Sequence, residues 1–496
     1  MLVNWNKLNA EAILSLLFSL LLTSQLIFAR QRPISTEKPQ HSIVKNIKKV
    51  YQNTGIGAVA YILVEKDQIV SAGGFGQYSR ENKKQVTENS LFRVGSITKT
   101  FTALAIMEQV EKGKLKLTQA IKYLVKDLPL SNPYKNTPVT IEMLLEHTSG
   151  LQDLTRKEFD FPRPLSLEQA FKVSPESRQV LAHPGYHFSY SNAGAGYLGR
   201  VIEVINDVDY DQWFKTEILI PMGMKHSTLK WSETLEAKLV SGYDADLNTE
   251  IPYWHTLFRS FGGLNTTAMD MGKLLLLFTR DRKFTNALRL SNKALARMER
   301  PLTSLGARAG LKQGYALGIR NQLFKGHRIY GHSGDADGYL AQFSYSKESH
   351  RGYFFVINAF RHDIDEKFTF LLNQWLVAPL KPSYNDSHKN EIVLSELMLK
   401  QISGNYVKIT SRFPGRNIKK KDKVSIKIKG TKILICFRRI NNCQPLFAAS
   451  NQLFKTQRDS EASIAIVKAG DGKTYLQWGS DSYQKISSTV SATNNP

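Results

Sequence analysis

The order of strand-like and helix-like segments most limits the folds open to this chain. Residues 57–78, GAVAYILVEKDQIVSAGGFGQY, predict a strand hairpin with its turn near Lys66 and Asp67. Residues 115–235 indicate mostly helices and loops with several Pro and Gly breaks, and strand-like stretches return from residue 314 onward. Strands at both ends with helices between them predict an α+β unit whose terminal strands share one sheet.

Composition changes along the chain predict five segments. We expect a signal peptide or N-terminal membrane anchor at 1–29, a linker at 30–40, the α+β domain at 41–378, a second linker at 379–396 and a small all-β domain at 397–490. Short strands of alternating apolar and polar residues fill the last segment, which is typical of half-buried strands.

The N-terminal apolar run predicts export. Residues 12–29, AILSLLFSLLLTSQLIFA, carry no charge and resemble a secretory signal peptide that ends at Ala29. Eighteen residues also reach the lower limit for a membrane span, so an uncleaved anchor at 12–29 is the alternative. We therefore expect a periplasmic or otherwise extracytoplasmic protein.

The charge balance is strongly basic. The 67 Lys and Arg residues against 43 Asp and Glu give a formal charge of +24. This excess favours anionic surroundings such as a cell-envelope surface, and the basic run from Arg416 to Lys423 is a candidate anchor. The alternative is an ordinary solvated basic surface. The chain has no zinc-finger spacing and no RNP-like aromatic pattern, so a nucleic-acid partner is not expected.

Both cysteines, Cys436 and Cys443, lie near the C-terminus. A hairpin with its turn near Asn441 and Asn442 could bring them opposite each other. In an oxidising compartment they could form a disulfide, and the alternative is a pair of buried free thiols. A metal site is not expected, because no further His or Cys surrounds them.

A serine and a lysine lie one helical turn apart at Ser96 and Lys99. Residues 90–113 predict a turn into an amphipathic helix, and residues three apart share a helix face. A serine hydroxyl is a weak nucleophile until a base takes its proton, and a desolvated lysine can be that base. The same tetrad begins at five other serines, so its surroundings must decide: Ser35, Ser42, Ser227, Ser344 and Ser482.

Two further motifs follow Ser96 in the chain. Tyr190-Ser191-Asn192 supplies a phenol that can relay a proton and an amide that can bond a lysine and a substrate carbonyl. His332-Ser333-Gly334 begins a predicted strand, where a glycine would let a substrate approach the strand edge. The alternatives are a core tyrosine with a turn asparagine, and a structural histidine.

The order of these three motifs resembles the serine penicillin-recognising enzymes, which include class C β-lactamases, DD-peptidases and related esterases. The segments FRVGSITKTF, LLEHTSGL, PGYHFSYSN, FGGLNTTAMDM and YGHSGDADGY resemble that family in sequence and order, across roughly residues 45–375. The resemblance implies an antiparallel sheet flanked by helices with an inserted, mostly helical region. Residues 397–489 resemble a small β domain that some members append.

The resemblance also implies roles for the first motifs. Ser96 would be the acylated nucleophile, and Lys99 would accept its proton together with Tyr190. Asn192 would orient Lys99 and the substrate amide. His147, in the HTSGL segment, is expected to be structural.

The third motif would line the substrate strand with His332, Ser333 and Gly334. His332 stands where class C β-lactamases usually carry a lysine, and a histidine there is more like certain DD-peptidases and esterases. The backbone N–H groups of Ser96 and Asp335 would form the oxyanion hole, in which one donor typically contributes on the order of 100-fold in rate.

The implied reaction is a two-step acyl transfer through an acyl-enzyme, with no metal and no organic cofactor. We expect a DD-peptidase-like enzyme (a D-alanyl-D-alanine carboxypeptidase) or a β-lactamase-like envelope enzyme. The alternatives are an esterase of the same family and a non-catalytic envelope-binding protein. The substrate would be a peptidoglycan stem peptide, a β-lactam or an ester. Arg320, Lys325 and Arg328 are candidates for holding a terminal carboxylate.

Overall fold

The computed structural model describes residues 39–486 apart from several short gaps, which are 160, 281–287, 289, 382–390, 410–422, 431, 438–441 and 457–460. The apolar run at 12–29 and most of the basic run that starts at Arg416 lie outside the described residues. Within the described part, no helix is both long enough and apolar enough to cross a membrane.

The strands of the α+β domain are β1 Ala58–Glu65, β2 Gln68–Gly76, β3 Leu91–Arg93, β4 Gly242–Tyr243, β5 Glu250–Ile251, β6 Asn265–Thr267, β7 Gly314–Tyr315, β8 Arg320–Phe324, β9 His327–Ala336, β10 Tyr339–Ser346 and β11 Arg351–Ile357. The C-terminal strands are β12 Gly404–Lys408, β13 Lys423–Lys429, β14 Lys432–Phe437, β15 Asn442–Ala448, β16 Leu453–Thr456, β17 Ile464–Lys468, β18 Thr474–Trp478 and β19 Asp481–Ile486.

The α-helices are α1 Pro39–Gln52, α2 Thr98–Glu111, α3 Ile141–Leu145, α4 Leu167–Phe171, α5 Asn192–Asn206, α6 Tyr210–Phe214, α7 Glu233–Glu236, α8 Arg259–Gly262, α9 Ala268–Thr279, α10 Asn292–Met298, α11 Leu305–Arg308, α12 His362–Val377 and α13 Glu396–Ile402. Single turns of 3-10 helix span Gly95–Ile97, Ile121–Tyr123, Arg156–Glu158 and Pro175–Ser177, and a π-helical turn spans Lys215–Leu219.

The central sheet joins the two ends of the α+β domain. Its seven strands run in the order β2-β1-β11-β10-β9-β8-β7, and every neighbouring pair is antiparallel. Strand β1 pairs with β11 in the register Val59 to Ile357. The predicted sharing of one sheet by the terminal strands is therefore confirmed. The hairpin turn is at Lys66 and Asp67, which both adopt positive φ.

Helices cover both faces of this sheet. On one face α12 packs through Phe368 against Phe355, and the Tyr353 hydroxyl donates to Asn373 Oδ1 at 2.8 Å. On the other face α9 packs on β1 and β11, and the strand residues Ile62 and Phe354 join the main apolar core. The α+β architecture expected from the sequence is confirmed.

Helix α2 differs from its prediction, because it is buried on all sides rather than amphipathic. Residues Thr98 to Gln109 are buried, and the helix packs on α5 and α8. Its polar residues are accommodated by hydrogen bonds: Thr100 Oγ1 donates to Gly318 O and Thr102 Oγ1 to Ser260 O, both at 2.7 Å. Bonds of this kind allow a polar side to face the core.

The C-terminal strands close into an eight-stranded barrel, β12 to β19. Its interior holds apolar side chains such as Val424 and Ile426, with Lys427 exposed between neighbours as the alternation predicted. Cys436 and Cys443 lie directly opposite each other on β14 and β15 and are joined by a disulfide. The predicted turn at Asn441 lies outside the described residues, and Asn442 already belongs to β15. Helix α13 precedes the barrel and was not predicted.

The barrel packs against the segment that leads to Tyr190. The Tyr475 ring lies 5.8 Å from the ring of Tyr186. The Gly306 N–H donates to Gln477 Oε1 at 3.2 Å, and Leu311 forms a small apolar cluster with Ala465 and Val467.

Candidate active site

The predicted nucleophile, Ser96, lies in the 3-10 turn Gly95–Ile97 between β3 and α2. Gly95 adopts φ of +49°. A Cβ at Gly95 would overlap the carbonyl oxygen of Asp335 on β9. Only glycine adopts this positive φ without strain and also leaves room for the Asp335 carbonyl. The turn is therefore pressed directly against the strand that carries the third motif.

Two proton-bearing groups contact the Ser96 hydroxyl. Lys99 Nζ is 2.9 Å from Ser96 Oγ, and the Tyr190 hydroxyl is 2.8 Å from the same oxygen. Both distances are those of good hydrogen bonds. When either partner is deprotonated, Ser96 can donate its proton along the same contact. The structure thus brings together the three residues that the sequence predicted as nucleophile, base and relay.

Lys99 is enclosed by aromatic rings and a backbone carbonyl. Its side chain is buried, and Nζ donates to Phe261 O at 2.9 Å. The same nitrogen lies 4.9 Å from the Tyr190 ring centroid and 5.0 Å from that of Phe261. Ring faces attract cations, so these contacts fix the amine beside Ser96. The sequence contains the motif FGGL, but no spacing in the sequence predicts a contact between Phe261 and Lys99.

Tyr190 is held by an aromatic cluster. The rings of His147, Phe188 and Tyr315 lie 4.2, 6.4 and 6.4 Å from its centroid. The Ser191 N–H donates to His147 Nδ1 at 3.2 Å, so His147 accepts at Nδ1. His147 therefore packs against the tyrosine at close range.

Asn192 is anchored differently from the sequence prediction. Its backbone N–H donates to Asp153 Oδ1 at 2.6 Å, and its Nδ2 lies 3.4 Å from Asp153 Oδ2. Asn192 Oδ1 is buried and has no hydrogen-bond partner among the described residues, so the expected bond to Lys99 is not formed. Asp153 was missed because it follows HTSGL with no distinguishing spacing of its own.

His332 is the first residue of the third motif, and its side chain is buried. Its Nε2 is 2.6 Å from the Tyr315 hydroxyl, and its Nδ1 is 2.5 Å from Ser333 O. Burial, followed by the charges of Arg320 and Lys99, lowers the pKa of His332 well below its ordinary value. The imidazole is therefore neutral at pH 7, unlike the lysine that class C β-lactamases carry here.

Gly334 allows a close backbone contact that the sequence did not predict. A Cβ there would overlap the carbonyl oxygen of Val94 and lie 3.1 Å from Ile97 N. The glycine thus lets β9 touch the nucleophile turn, and the close approach of a substrate stays a prediction. Ser333 is half-buried beside it.

Asp335 follows Gly334 on β9, and its backbone abuts Gly95. This contact places the Asp335 backbone beside the turn that carries Ser96, and the oxyanion hole of the Ser96 and Asp335 N–H groups stays a prediction. The Asp335 side chain is exposed, and its charge helps to raise the pKa of Asp365 on α12.

The three candidate cations before β9 differ in their surroundings. Arg328 pairs with Glu461, and Lys325 lies exposed in the β8–β9 turn. The charge of Arg320 acts on both His332 and Tyr315, and Arg320 Nε is buried without a hydrogen-bond partner among the described residues. Of these three cations, Arg320 is the one whose charge acts on residues of the site. The described residues contain no group of three or more His, Cys, Asp or Glu side chains suited to a metal ion.

The family of this chain is shown by comparison of its sequence with known protein families. The model of the beta-lactamase family matches residues 43–372, two thirds of the chain. The chain belongs to the beta-lactamase family. The expectation of a serine hydrolase of this type is confirmed at the level of the family.

Curated relatives resemble parts of the chain. Penicillin-binding protein 4 of Amycolatopsis lactamdurans is 26% identical over 58% of this chain and 76% of its own length. Protein flp of Staphylococcus aureus strain MW2 is 26% identical over 44% of this chain. The match spans 43% of the length of flp, which is less than half.

Solved structures share the fold. An octameric penicillin-binding protein homologue from Pyrococcus abyssi has a TM-score of 0.57 at 22% identity, over 90% of this chain and 99% of its own. A beta-lactamase/D-alanine carboxypeptidase from Yersinia pestis has a TM-score of 0.58 at 21% identity, over 70% of this chain and 100% of its own. The hydrolase EstCE1, described as having promiscuous acyltransferase activity, has a TM-score of 0.55 at 17% identity, over 68% of this chain and 99% of its own. The predicted fold class, including the appended β domain, is confirmed.

Proposed function

We propose that this protein is a DD-peptidase-like serine hydrolase, a D-alanyl-D-alanine carboxypeptidase that acts through an acyl-enzyme on Ser96. The observation that carries the proposal is the pair of contacts on Ser96 Oγ, 2.9 Å to Lys99 Nζ and 2.8 Å to the Tyr190 hydroxyl. A serine held between a lysine and a tyrosine is equipped to lose its proton and attack a carbonyl carbon.

Each step uses a group already in position. As Ser96 Oγ bonds to the substrate carbonyl carbon, its proton passes to the deprotonated member of the Lys99 and Tyr190 pair. The new oxyanion accepts hydrogen bonds from the N–H groups of Ser96 and Asp335. The proton then goes to the leaving amine as the C–N bond breaks. Water deacylates the ester by the same route in reverse, which releases the acid and restores Ser96.

The peptidase assignment is supported by Arg320. A carboxypeptidase must hold the free carboxylate of its substrate, and neutral His332 supplies no charge for this purpose. The Arg320 guanidinium acts electrostatically on His332, and its Nε has no hydrogen-bond partner among the described residues. A guanidinium recognises a carboxylate well. The names of the Yersinia carboxypeptidase and of penicillin-binding protein 4 agree with this assignment.

An esterase is the second candidate, and the neutral charge of His332 favours it. Position 332 itself carries no positive charge, so an ester that lacks a carboxylate forgoes no ion pair with that residue. The similarity to the EstCE1 hydrolase supports the same alternative. A β-lactam would react with the same serine, because it presents an amide carbonyl in a strained ring.

We also propose that the protein works outside the cytoplasm at the cell envelope. The proposal is supported by the charge-free run at 12–29 and by the formal charge of +24, which suits an anionic surface.

The first experiment labels the full chain with a fluorescent penicillin. Labelling that is lost in Ser96→Ala and kept in Ser227→Ala supports the acyl-enzyme on Ser96. Ser227 is the matched control, because it begins a tetrad of the same spacing and its hydroxyl bonds Asp270 rather than Lys99. Equal labelling of all three proteins would refute the assignment.

The second experiment compares substrates. For Arg320→Met we expect KM for a peptide ending in D-Ala-D-Ala to rise about 10- to 100-fold, as loss of a charge-assisted bond predicts. Hydrolysis of p-nitrophenyl acetate should change by less than about threefold, since it has no carboxylate to lose. Ester turnover with no peptide cleavage by the wild type would move the assignment to an esterase.

A further inference from the structure

The ring of His332 is bonded at both nitrogens, which fixes where its hydrogen lies. Nδ1 lies 2.5 Å from Ser333 O, and Nε2 lies 2.6 Å from the Tyr315 hydroxyl. A backbone carbonyl can only accept, so Nδ1 must carry the hydrogen. In a neutral imidazole Nε2 is then an acceptor, and Tyr315 must donate to it.

The charged groups around His332 keep the ring neutral. Lys99 on α2 and Arg320 on β8 both act on it as positive charges, and the residue is buried. Tyr315 on β7 faces it directly, with Tyr190 and His147 behind the tyrosine ring. A second proton on the ring would add a positive charge beside those of Lys99 and Arg320 in a buried site, which is unfavourable.

Tyr315 is suited to the role of a permanent donor. It is buried, and burial together with the nearby Tyr190 raises the pKa of its phenol well above the ordinary value. The hydroxyl therefore stays protonated at neutral pH. Its ring lies 4.7 Å from His147 and 6.4 Å from Tyr190, so the same side chain also packs against the proton relay.

We propose that Tyr315 is a positioning residue for the reaction on Ser96: its hydroxyl fixes His332 in the neutral, Nδ1-protonated form while its ring braces Tyr190. The inference rests on the proposed function, because it assigns a role in that reaction. It means that position 332 offers the cleft neither a positive charge nor a proton. Proton transfer is left to Lys99 and Tyr190, and the positive charge near position 332 comes from Lys99 and Arg320.

Loss of the Tyr315 hydroxyl would release this constraint. Nε2 of His332 would become a buried acceptor with no partner, which is unfavourable. The ring could relieve this by taking a second proton or by moving its hydrogen to Nε2. Either change would place an N–H on the side from which the Tyr315 hydroxyl is missing. The substitution also removes a hydrogen bond that only the neutral ring can accept at Nε2, so the pKa of His332 would rise.

The decisive experiment uses ¹⁵N-histidine in the full chain and long-range ¹H–¹⁵N NMR, with His332→Gln to assign the signal. In the wild type we expect the Nδ1–H tautomer and no titration of His332 between pH 5 and 8. In Tyr315→Phe, titrated below pH 5 alongside the wild type, we expect the pKa of His332 to rise by about one unit, the size of one lost hydrogen bond. Tyr353→Phe is the matched control, because its buried hydroxyl bonds Asn373 instead.

The kinetic counterpart is the pH dependence of penicillin acylation. Tyr315→Phe should acquire an additional ionisation on the acidic side, and Tyr353→Phe should not. A wild-type His332 that carries Nε2–H, or that titrates near its ordinary pKa, would overturn the inference. So would a Tyr315→Phe variant with an unchanged tautomer and pKa. If penicillin acylates neither protein, the proposed function fails, while the NMR result still decides the role of Tyr315.

Discussion

Gly334→Ala tests whether contact between β9 and the nucleophile turn sets the position of Ser96. The added methyl group would overlap the Val94 carbonyl oxygen and lie 2.9 Å from the Val94 carbonyl carbon and 3.1 Å from Ile97 N. These are backbone atoms on both sides of Ser96, so no flexible side chain can yield. The turn and the strand must separate by roughly 1 Å before the methyl group fits.

A displacement of that size has a calculable effect on the reaction. Misplacing a reacting group by about 1 Å can lower the rate on the order of 100-fold. Overpacking of this kind also destabilises a protein by about 1–3 kcal/mol. We therefore expect acylation by fluorescent penicillin to slow about 100-fold, and the unfolding midpoint in urea to fall modestly.

Gly194→Ala is the matched control for this prediction. Its methyl group would meet Leu144 at an ordinary 3.5 Å, inside the buried helix α5. Alanine is a better helix former than glycine, so the control should be as stable as the wild type or more stable. A Gly334→Ala protein that is acylated within threefold of the wild-type rate would refute the reasoning. Equal losses in both variants would refute it too.

Two further predictions concern stability. Burial, then the charges of Asp335 and Glu366, raise the pKa of Asp365 to about 7. Because an unfolded aspartate ionises near pH 4, the folded protein binds an extra proton between about pH 4 and 7, and stability falls as pH rises through that window. In urea unfolding, the free energy of unfolding of Asp365→Asn should therefore exceed that of the wild type most above pH 7, and this difference should shrink towards pH 4. A difference that does not depend on pH would contradict this prediction. Replacing Cys436 and Cys443 together by serine should lower barrel stability by about 2.5 kcal/mol, given the short loop that they close, without slowing acylation; an unchanged unfolding curve would contradict this second prediction.

The sequence predicted those parts of the fold that depend on local patterning. The hairpin at Lys66 and Asp67 was recognisable because turn residues separate two apolar runs. Helix α2 was predicted in the correct place but with the wrong exposure. Its threonines are polar by type and yet buried, because carbonyl groups distant in the chain accept their hydroxyl hydrogens. Periodicity carries no information about such partners.

In the candidate site, too, the sequence predicted some contacts and missed others. Ser96, Lys99 and Tyr190 were found because their spacing and order are visible in the chain, and the structure brings them within hydrogen-bond distance. The contacts of Asn192 with Asp153 and of His332 with Tyr315 were not found. Each joins segments that no motif connects, and only the folded backbone decides which polar groups meet.

The pairing of β1 with β11 has a consequence for the order in which the protein is assembled. The Ala58 N–H donates to the side chain of Asn358, a residue 300 positions later in the chain. Such distant pairings are slow to form, because much chain entropy is lost before any contact compensates. A chain still emerging from the ribosome could not complete this sheet, nor press β9 against the serine turn, until most of its length had been synthesised. The reactive serine would thus acquire its neighbours only in the last stage of folding.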